Sequence, residues 1–381
     1  MEEPNPIYLD YNATTPIAKE VADEMKPFLY SNFGNPSSSH PYGVQAKLAV
    51  EKARQQVAEA INGQNSEVVF TSGGTESNNN AIRGYALANR DKGKHIITSA
   101  VEHPAVIEVC RYLETRGYLV TYLPVDRYGL VDPKDLENSI TPNTLLVSIM
   151  HANNEVGTIQ PVKELVEITH EHGAVFHTDA AQTLGKYSLD VQKLDVDLLS
   201  IAGHKLYAPK GIGVLFIRNG LVLQNLMYGA DHESGRRPGT ENVLEIVGLG
   251  KACEIAKRDM VKNIAHFTKM RDRLHKSLQA GLPQDSFILN GHPQRRLPNT
   301  LSLGFHLVEA NTLLSEIREE VAASAGAACH SGDVNLSHVL VAMNVPVDYA
   351  MGTVRFSVGR GTTSEEIDRA VKVIAKELNK F

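Results

Sequence analysis

The chain has 381 residues, with 38 Lys plus Arg against 44 Asp plus Glu and a formal charge of −6. It has no basic excess for releasing counterions from a phosphodiester backbone, and nucleic acid is not an expected partner. Three cysteines (Cys110, Cys253, Cys329) are too few for a disulfide framework, the start MEEPNPIYLD lacks the cationic and apolar regions of a secretory leader, and no run reaches the roughly 18 apolar residues of a membrane span; a soluble cytoplasmic protein is expected.

Short apolar runs rich in Val, Ile and Phe alternate with segments of helical period. In chain order the spacing predicts a strand at 68–71, a helix at 76–89, a strand at 95–99, a helix at 105–116 and a strand at 119–123. A helix at 133–139, a strand at 145–150 and a helix at 162–172 follow, then strands at 175–178, 198–201 and 214–217. This alternation calls for an α/β protein with a mostly parallel sheet covered on both faces, in which ligands collect outside the carboxyl ends of the strands. After about residue 235 the pattern changes. A long helical stretch at 243–278 leads to a polar, proline-bearing segment, 283–298, and then to a second α+β unit with strands near 300–305 and 354–358 and helices near 310–320 and 364–380.

The most informative stretch is Ser200-Ile-Ala-Gly-His-Lys205, where a lysine follows an apolar strand. Held at a strand end it would be partly desolvated, which lowers its pKa and frees the amine to form a Schiff base. Alone, such a lysine is far more often a solvated surface residue, and the neighbouring pattern must change that. Asp179, at the end of another predicted strand, is suited to keeping a pyridine nitrogen protonated, the feature that makes pyridoxal phosphate an electron sink; its plainer role is a helix N-cap. In Thr71-Ser-Gly-Gly74-Thr75-Glu, two glycines before a helix start admit a phosphate to unpaired backbone amides, though the same pattern serves as a simple turn. It matches neither the dinucleotide fingerprint nor the Walker loop. His103 sits just past a strand, where an imidazole can stack on a flat cofactor and exchange protons. Cys329 lies in a small-residue segment with neither helical nor strand periodicity, so an accessible loop thiol next to His330 is expected, whereas Cys110 and Cys253 fall in helical segments as buried apolar residues. No CxxC or HxxxH spacing surrounds Cys329, which argues against a metal site.

Taken in order, Tyr8-Leu-Asp-Tyr-Asn12-Ala-Thr-Thr-Pro16, Gly34-Asn-Pro-Ser37, Thr71-Ser-Gly-Gly-Thr-Glu-Ser-Asn78, Val101-Glu-His103, Ala152-Asn153-Asn-Glu-Val-Gly157, His177-Thr-Asp179-Ala-Ala-Gln182, Gly203-His-Lys205, Arg237-Pro-Gly-Thr240 and Arg355-Phe-Ser-Val-Gly-Arg360 resemble the pyridoxal-phosphate-dependent cysteine desulfurase and selenocysteine lyase family. The likeness spans nearly the whole chain. It implies a fold type I transferase with a large cofactor-binding domain of seven mostly parallel strands at 15–260 and a small domain made of 1–14 and 261–381. It implies that Lys205 carries the cofactor, Asp179 pairs with the pyridinium nitrogen, Gln182 bonds the phenolic oxygen and His103 stacks on the ring. Gly74, Thr75 and His204 would hold the phosphate, with Thr240 reaching it from the second subunit of a homodimer with shared sites. Asn12, Asn153 and Arg355 would hold the substrate, Arg355 by a two-pronged bond to its carboxylate. Cys329 would take the sulfur of L-cysteine, leaving alanine and a persulfide to be passed to an acceptor or scaffold protein for iron–sulfur or thio-cofactor synthesis.

Two features depart from the commoner pattern. Ala202 stands three residues before Lys205, where many desulfurases have a phosphate-contacting serine, and Gly-Ala-Ala-Cys329-His-Ser is closer to selenocysteine lyases. Release of selenium from L-selenocysteine is therefore the alternative activity, while a non-catalytic sulfur or iron scaffold is disfavoured, because a scaffold has no use for Lys205, Asp179 and His103 together.

Overall fold

The computed structural model describes residues 5–330 and 333–380, with side chains for all of these except 327–330 and 333–335. Seven strands form the main sheet: β1 (Val68–Thr71), β2 (His95–Ser99), β3 (Leu119–Leu123), β4 (Thr144–Ser148), β5 (Val175–Asp179), β6 (Leu198–Ala202) and β7 (Gly213–Ile217). Their spatial order is β1-β7-β6-β5-β4-β2-β3. Only β7 runs against its neighbours, β1 and β6.

Every residue of β1, β2, β4, β6 and β7 is buried, while the edge strand β3 is half-buried, with Leu119 exposed. Burial on both faces is why these strands read as continuous apolar runs rather than alternating ones. Successive side chains enter opposite cores: Phe70, Ile97, Val147 and Phe216 pack on one face with Val57 and Leu249, and Val69, Ile96, Leu146 and Leu215 on the other with Ile82, Val109 and Leu113. Each such side chain contributes about 1.5–3 kcal/mol by leaving water.

A second, antiparallel sheet runs in the order Ser324–Ala325, Thr353–Ser357, Thr300–Phe305, Phe287–Asn290. The helices Met260–Gly281 and Ser364–Leu378 pack with it through Phe267, Leu274, Phe305, Phe356, Ile367 and Ile374. Thr363 starts the last helix with a reciprocal Thr363–Glu366 capping box. Near the amino terminus Ile7–Tyr8 pairs in parallel with Val321–Ala322, and Ile7 and Leu9 join this same core. The following residues run on to Lys205, where Asn12 and Ala13 present their carbonyls.

Three expectations need correction. The helix predicted at 76–89 starts at Gly74 and widens midway, as Gly74–Asn79, a π-turn at Asn80–Gly84 and Tyr85–Ala88. There the Gly84 carbonyl accepts from the Gln224 amide at 2.9 Å, and a Cβ at Gly84 would sit 2.9 Å from the Gln224 oxygen. The close crossing outweighs the helical pattern. The stretch at 243–278 is two helices, Val243–Arg258 and Met260–Gly281, which turn at Asp259, whose carboxylate is engaged by the Arg258 guanidinium at 2.8 and 2.9 Å. The segment around Cys329, expected as a loop, has Ala327–His330 paired antiparallel with Asp333–Leu336, Cys329 opposite Val334. Backbone groups form such a ladder without help from side-chain periodicity, so an alanine-rich strand gives no sequence signal. The Cys329 side chain lies outside the described residues.

Candidate active site

A cavity of about 320 Å³ opens at the carboxyl ends of the main-sheet strands, the place where an α/β sheet offers backbone groups without side-chain cover. Lys205 lies in a single 3₁₀ turn, Gly203–Lys205, directly after β6. Its Nζ donates to the main-chain oxygens of Asn12 at 2.5 Å and Ala13 at 2.8 Å. Burial, then the neighbouring Arg355 charge, lower its pKa to about 8 against opposing pulls from Asp10 and Asp179. About a tenth of the amine is thus free base at neutral pH, against well under one part in a thousand for an ordinary lysine, and the free base is the form carbonyl chemistry requires.

Asp179 ends β5, one strand away. Its Oδ2 accepts from Asn78 Nδ2 at 2.7 Å and its Oδ1 from the Ala181 amide at 2.9 Å. It is the single carboxylate on the wall of this cavity among the described residues, facing Lys205, Arg355, His103 and His204. Such a lining suits an anionic guest. Where β1 leaves the sheet, Gly73 has φ +149° and the helix begins at Gly74, with Gly74 and Thr75 on the cavity wall. A Cβ at Gly74 would come within 3.3 Å of Ala202 Cβ, so this corner is narrow, and position 202 supplies no hydroxyl. Glu76 accepts from the Ser72 amide at 2.7 Å and from Arg237 at 3.0 Å, tying the corner to the segment that leads to Thr240.

The two histidines are prepared differently. His103 caps the helix Pro104–Glu114: its Nδ1 accepts from the Ala105 amide at 3.1 Å, which leaves the proton of the neutral ring on Nε2. It is open at the cavity mouth but flanked by protein, and desolvation holds its pKa below the usual range, with Asp179 pulling upward and Lys205 downward. His204 is lowered to about 4 by burial and by the charges of Lys205, Lys210 and Lys186. It stays neutral and contacts the Thr14 hydroxyl through Nδ1 at 3.2 Å.

Arg355, on Thr353–Ser357, reaches the cavity from the second sheet. It donates to Asp10 Oδ1 at 2.7 Å, Ser324 Oγ at 3.0 Å and the Asn154 carbonyl at 3.2 Å, and its buried Nε has no partner. That donor and the Oδ1 of Asn78 are both buried without a partner, so two residues of the cavity wall carry an unsatisfied polar atom in this arrangement.

Asn12, Gly74, Thr75, His103, Asp179, Gln182, His204, Lys205 and Arg355 thus converge on one cavity. Asn153 does not. Fully buried, it accepts from the Glu155 and Val156 amides at 2.8 and 2.9 Å and donates to the Val101 carbonyl at 3.0 Å; its amide holds the turn, and Asn154 lines the cavity in its place. Thr240 is exposed and outside this cavity. Sequence reasoning missed Asn78, although one helical turn from Gly74 puts it on the same helix face, and Asp10, whose distance from Arg355 in sequence hides their pairing. Cys110 and Cys253 are buried, each thiol pushed up to about 12 by desolvation first. No group of three or more potential metal ligands occurs among the described residues, and none of the described helices is long and apolar enough to cross a membrane.

A mostly parallel sheet with a cavity at its carboxyl ends, a lysine just past one strand and an acid at the end of the next, is the architecture of fold type I pyridoxal-phosphate transferases. The solved structure of a NifS-like protein superposes with a TM-score of 0.93 and 37% identity, covering 99% of this chain and 100% of that one. A structure described as SspA in complex with cysteine gives 0.81 and 36%, covering 92% and 98%. The aminotransferase class-V family model matches residues 7–370, and the chain belongs to that family of enzymes. Among curated relatives, the cysteine desulfurase IscS of Dictyoglomus turgidum is 48% identical over 376 residues, 98% of this chain and 95% of the relative. That of Methanosarcina thermophila is also 48% identical over 376 residues, covering 98% and 92%.

Proposed function

We propose that the protein is a pyridoxal-phosphate-dependent cysteine desulfurase, which converts L-cysteine to L-alanine and leaves the sulfur as a persulfide on Cys329. The observation that carries the reading is the convergence of a lysine amine titrating near 8, the Asp179 carboxylate and the Arg355 guanidinium in one cavity. Bound here, pyridoxal phosphate supplies an electron sink that acidifies the α-proton of an amino acid. Lys205 Nζ anchors it, then takes and returns that proton. Asp179 would keep a proton on the ring nitrogen, Gln182 would donate to the phenolic oxygen, and His103 would lie against the ring. Gly74, Thr75 and the neutral His204 receive the phosphate, through amides at a helix start and neutral donors.

Arg355, with Asn12 beside it, binds the substrate carboxylate in a two-pronged bond for which its hold on Asp10 must loosen. Cys329 thiolate accepts the sulfur: the substrate C–S bond breaks, an S–S bond forms, and alanine leaves after proton return. The persulfide then passes to an acceptor or scaffold protein in the cytoplasm.

The active unit is a homodimer with shared sites. Leu29, Tyr30, Phe33, Tyr42 and Leu48 are exposed, with Phe33 and Tyr42 stacked at 5.4 Å. This apolar surface adjoins the Thr240 segment through Ser37 Oγ to His232 Nε2 at 3.2 Å and His232 to Glu241 at 3.7 Å. A second copy seated there would bring Thr240 to the phosphate of the opposite site.

Selenocysteine lyase activity is the second reading, favoured by Ala-Ala-Cys329-His-Ser. The test is product analysis with cysteine and selenocysteine side by side, with and without reductant. Alanine with protein persulfide from cysteine is the expected result. Negligible cysteine turnover beside rapid selenocysteine turnover transfers the assignment, and no amino-acid product from either overturns both.

A further inference from the structure

Lys186 has no part in the chemistry above, yet it is 4% exposed and lies beside the site. Burial is the main influence on its amine, and the charges that add to it are the cations Lys205 and Arg355; together they hold its pKa well below the usual lysine range. A side chain so placed needs hydrogen-bond acceptors. It has two, Gln182 Oε1 at 2.7 Å and Asn12 Oδ1 at 3.4 Å. Lys186 does not line the cavity, whereas Gln182 and Asn12 do. The turn after β5 makes this contact: the Lys186 amide bonds the Thr183 carbonyl at 2.9 Å, and Gly185 takes φ +81°, returning residue 186 to residue 182.

The Gln182 amide is therefore held from two sides. Its oxygen faces a donor, Lys186, and its Nε2 gives one hydrogen to the Asn12 carbonyl at 3.0 Å. Turned over, it would set its oxygen against the Asn12 carbonyl, acceptor against acceptor, and lose the bond that Nε2 now makes there. In the observed orientation the second Nε2 hydrogen remains for a guest in the cavity. We infer that Lys186 is a positioning residue for the cofactor: by bonding Gln182 Oε1 it fixes the amide so that Nε2, and not the oxygen, meets the phenolic oxygen of the ring. The inference rests on the cofactor assignment proposed above. Without Lys186, Oε1 is left unpaired in a buried position and turns into the cavity to find a donor.

The test is a pH titration of the visible absorption of the resting holoenzyme, with no substrate present. An N–H donor stabilises the more negative, deprotonated form of the chromophore, so its loss raises the midpoint. K186M should raise it by about one pH unit, the worth of one hydrogen bond to a charged oxygen. Loss of a cation acts in the same direction, so the same substitution is made in Q182L. A field effect persists there, but positioning does not, and K186M/Q182L should match Q182L within about 0.3 unit. K186Q, which keeps an N–H donor and serves if K186M does not fold, should move the midpoint less than half as far as Q182L. Equal K186M shifts in both backgrounds, no shift in K186M, or a K186Q shift as large as that of Q182L overturns the inference. A wild type that shows no visible band with added pyridoxal phosphate fails the cofactor reading itself, which separates that failure from the others.

Discussion

Once freed of cofactor, the enzyme should take up pyridoxal phosphate with a pH dependence set by Lys205. Its amine titrates near 8, against the usual 10.5, because burial and then Arg355 penalise the ammonium form more than Asp10 and Asp179 favour it. At pH 7.5 an ordinary lysine is neutral about one time in a thousand and one titrating near 8 about one time in four, a gain of about 200-fold in nucleophile. Lowered pKa means the neutral fraction grows as pH rises and is nearly complete above about 9. The rate of cofactor uptake, followed by stopped-flow absorbance at excess cofactor, should rise through a midpoint near 8 and then level. Arg355→Met removes a repelling cation and should shift the midpoint up and slow uptake at pH 7.5, whereas Asp10→Asn should shift it down. A rate still climbing tenfold per unit through pH 10, or shifts of the opposite sign in these variants, would refute the electrostatic account.

Arg355→Lys keeps the charge but loses the planar fork; kcat/KM for cysteine should fall about 100-fold, about 3 kcal/mol, chiefly through KM and with the bound-cofactor spectrum unchanged, and a fall under threefold would remove Arg355 from carboxylate binding. Cys329→Ala should retain the cofactor band and abolish alanine formation from cysteine; full turnover would exclude this thiol as the sulfur acceptor. Glu233 is buried and takes the Arg54 guanidinium at 2.7 and 2.8 Å and the Phe70 amide at 2.9 Å. Glu233→Ala leaves that guanidinium only the Val68 carbonyl at 2.9 Å and Glu51 at 3.3 Å and should cost about 3 kcal/mol in urea unfolding of the holoenzyme; a loss below about 1 kcal/mol would show that the pair is replaceable by water.

Much of the fold was legible in the sequence because strands buried on both faces must be apolar throughout, and the helices between them need only one apolar stripe. Lys205, Asp179 and the Gly73–Gly74 corner could be placed for the same reason: each ends a recognisable strand or comes within three residues of its end, so sequence position translates into position at the sheet's edge. Where a side chain's role depends on distant partners, the linear pattern was silent. Asn153 and Asn154 are adjacent and identical in kind, and only the turn closed on Val101, Glu155 and Val156 decides which one meets the cavity. The π-turn at Asn80–Gly84 depends on the close backbone approach of Gln224, and the paired strands around Cys329 on backbone pairing that leaves no periodic trace.

Residue order alone determined most of the local elements and which chemical groups stand at their ends, since propensity, burial pattern and capping act over a few neighbours. The tertiary structure decided the acidity of Lys205, the pairing of Arg355 with Asp10 across 345 positions and the seating of Lys186 beneath Gln182. Desolvation and charge–charge energies depend on separation in space, a quantity that only packing creates.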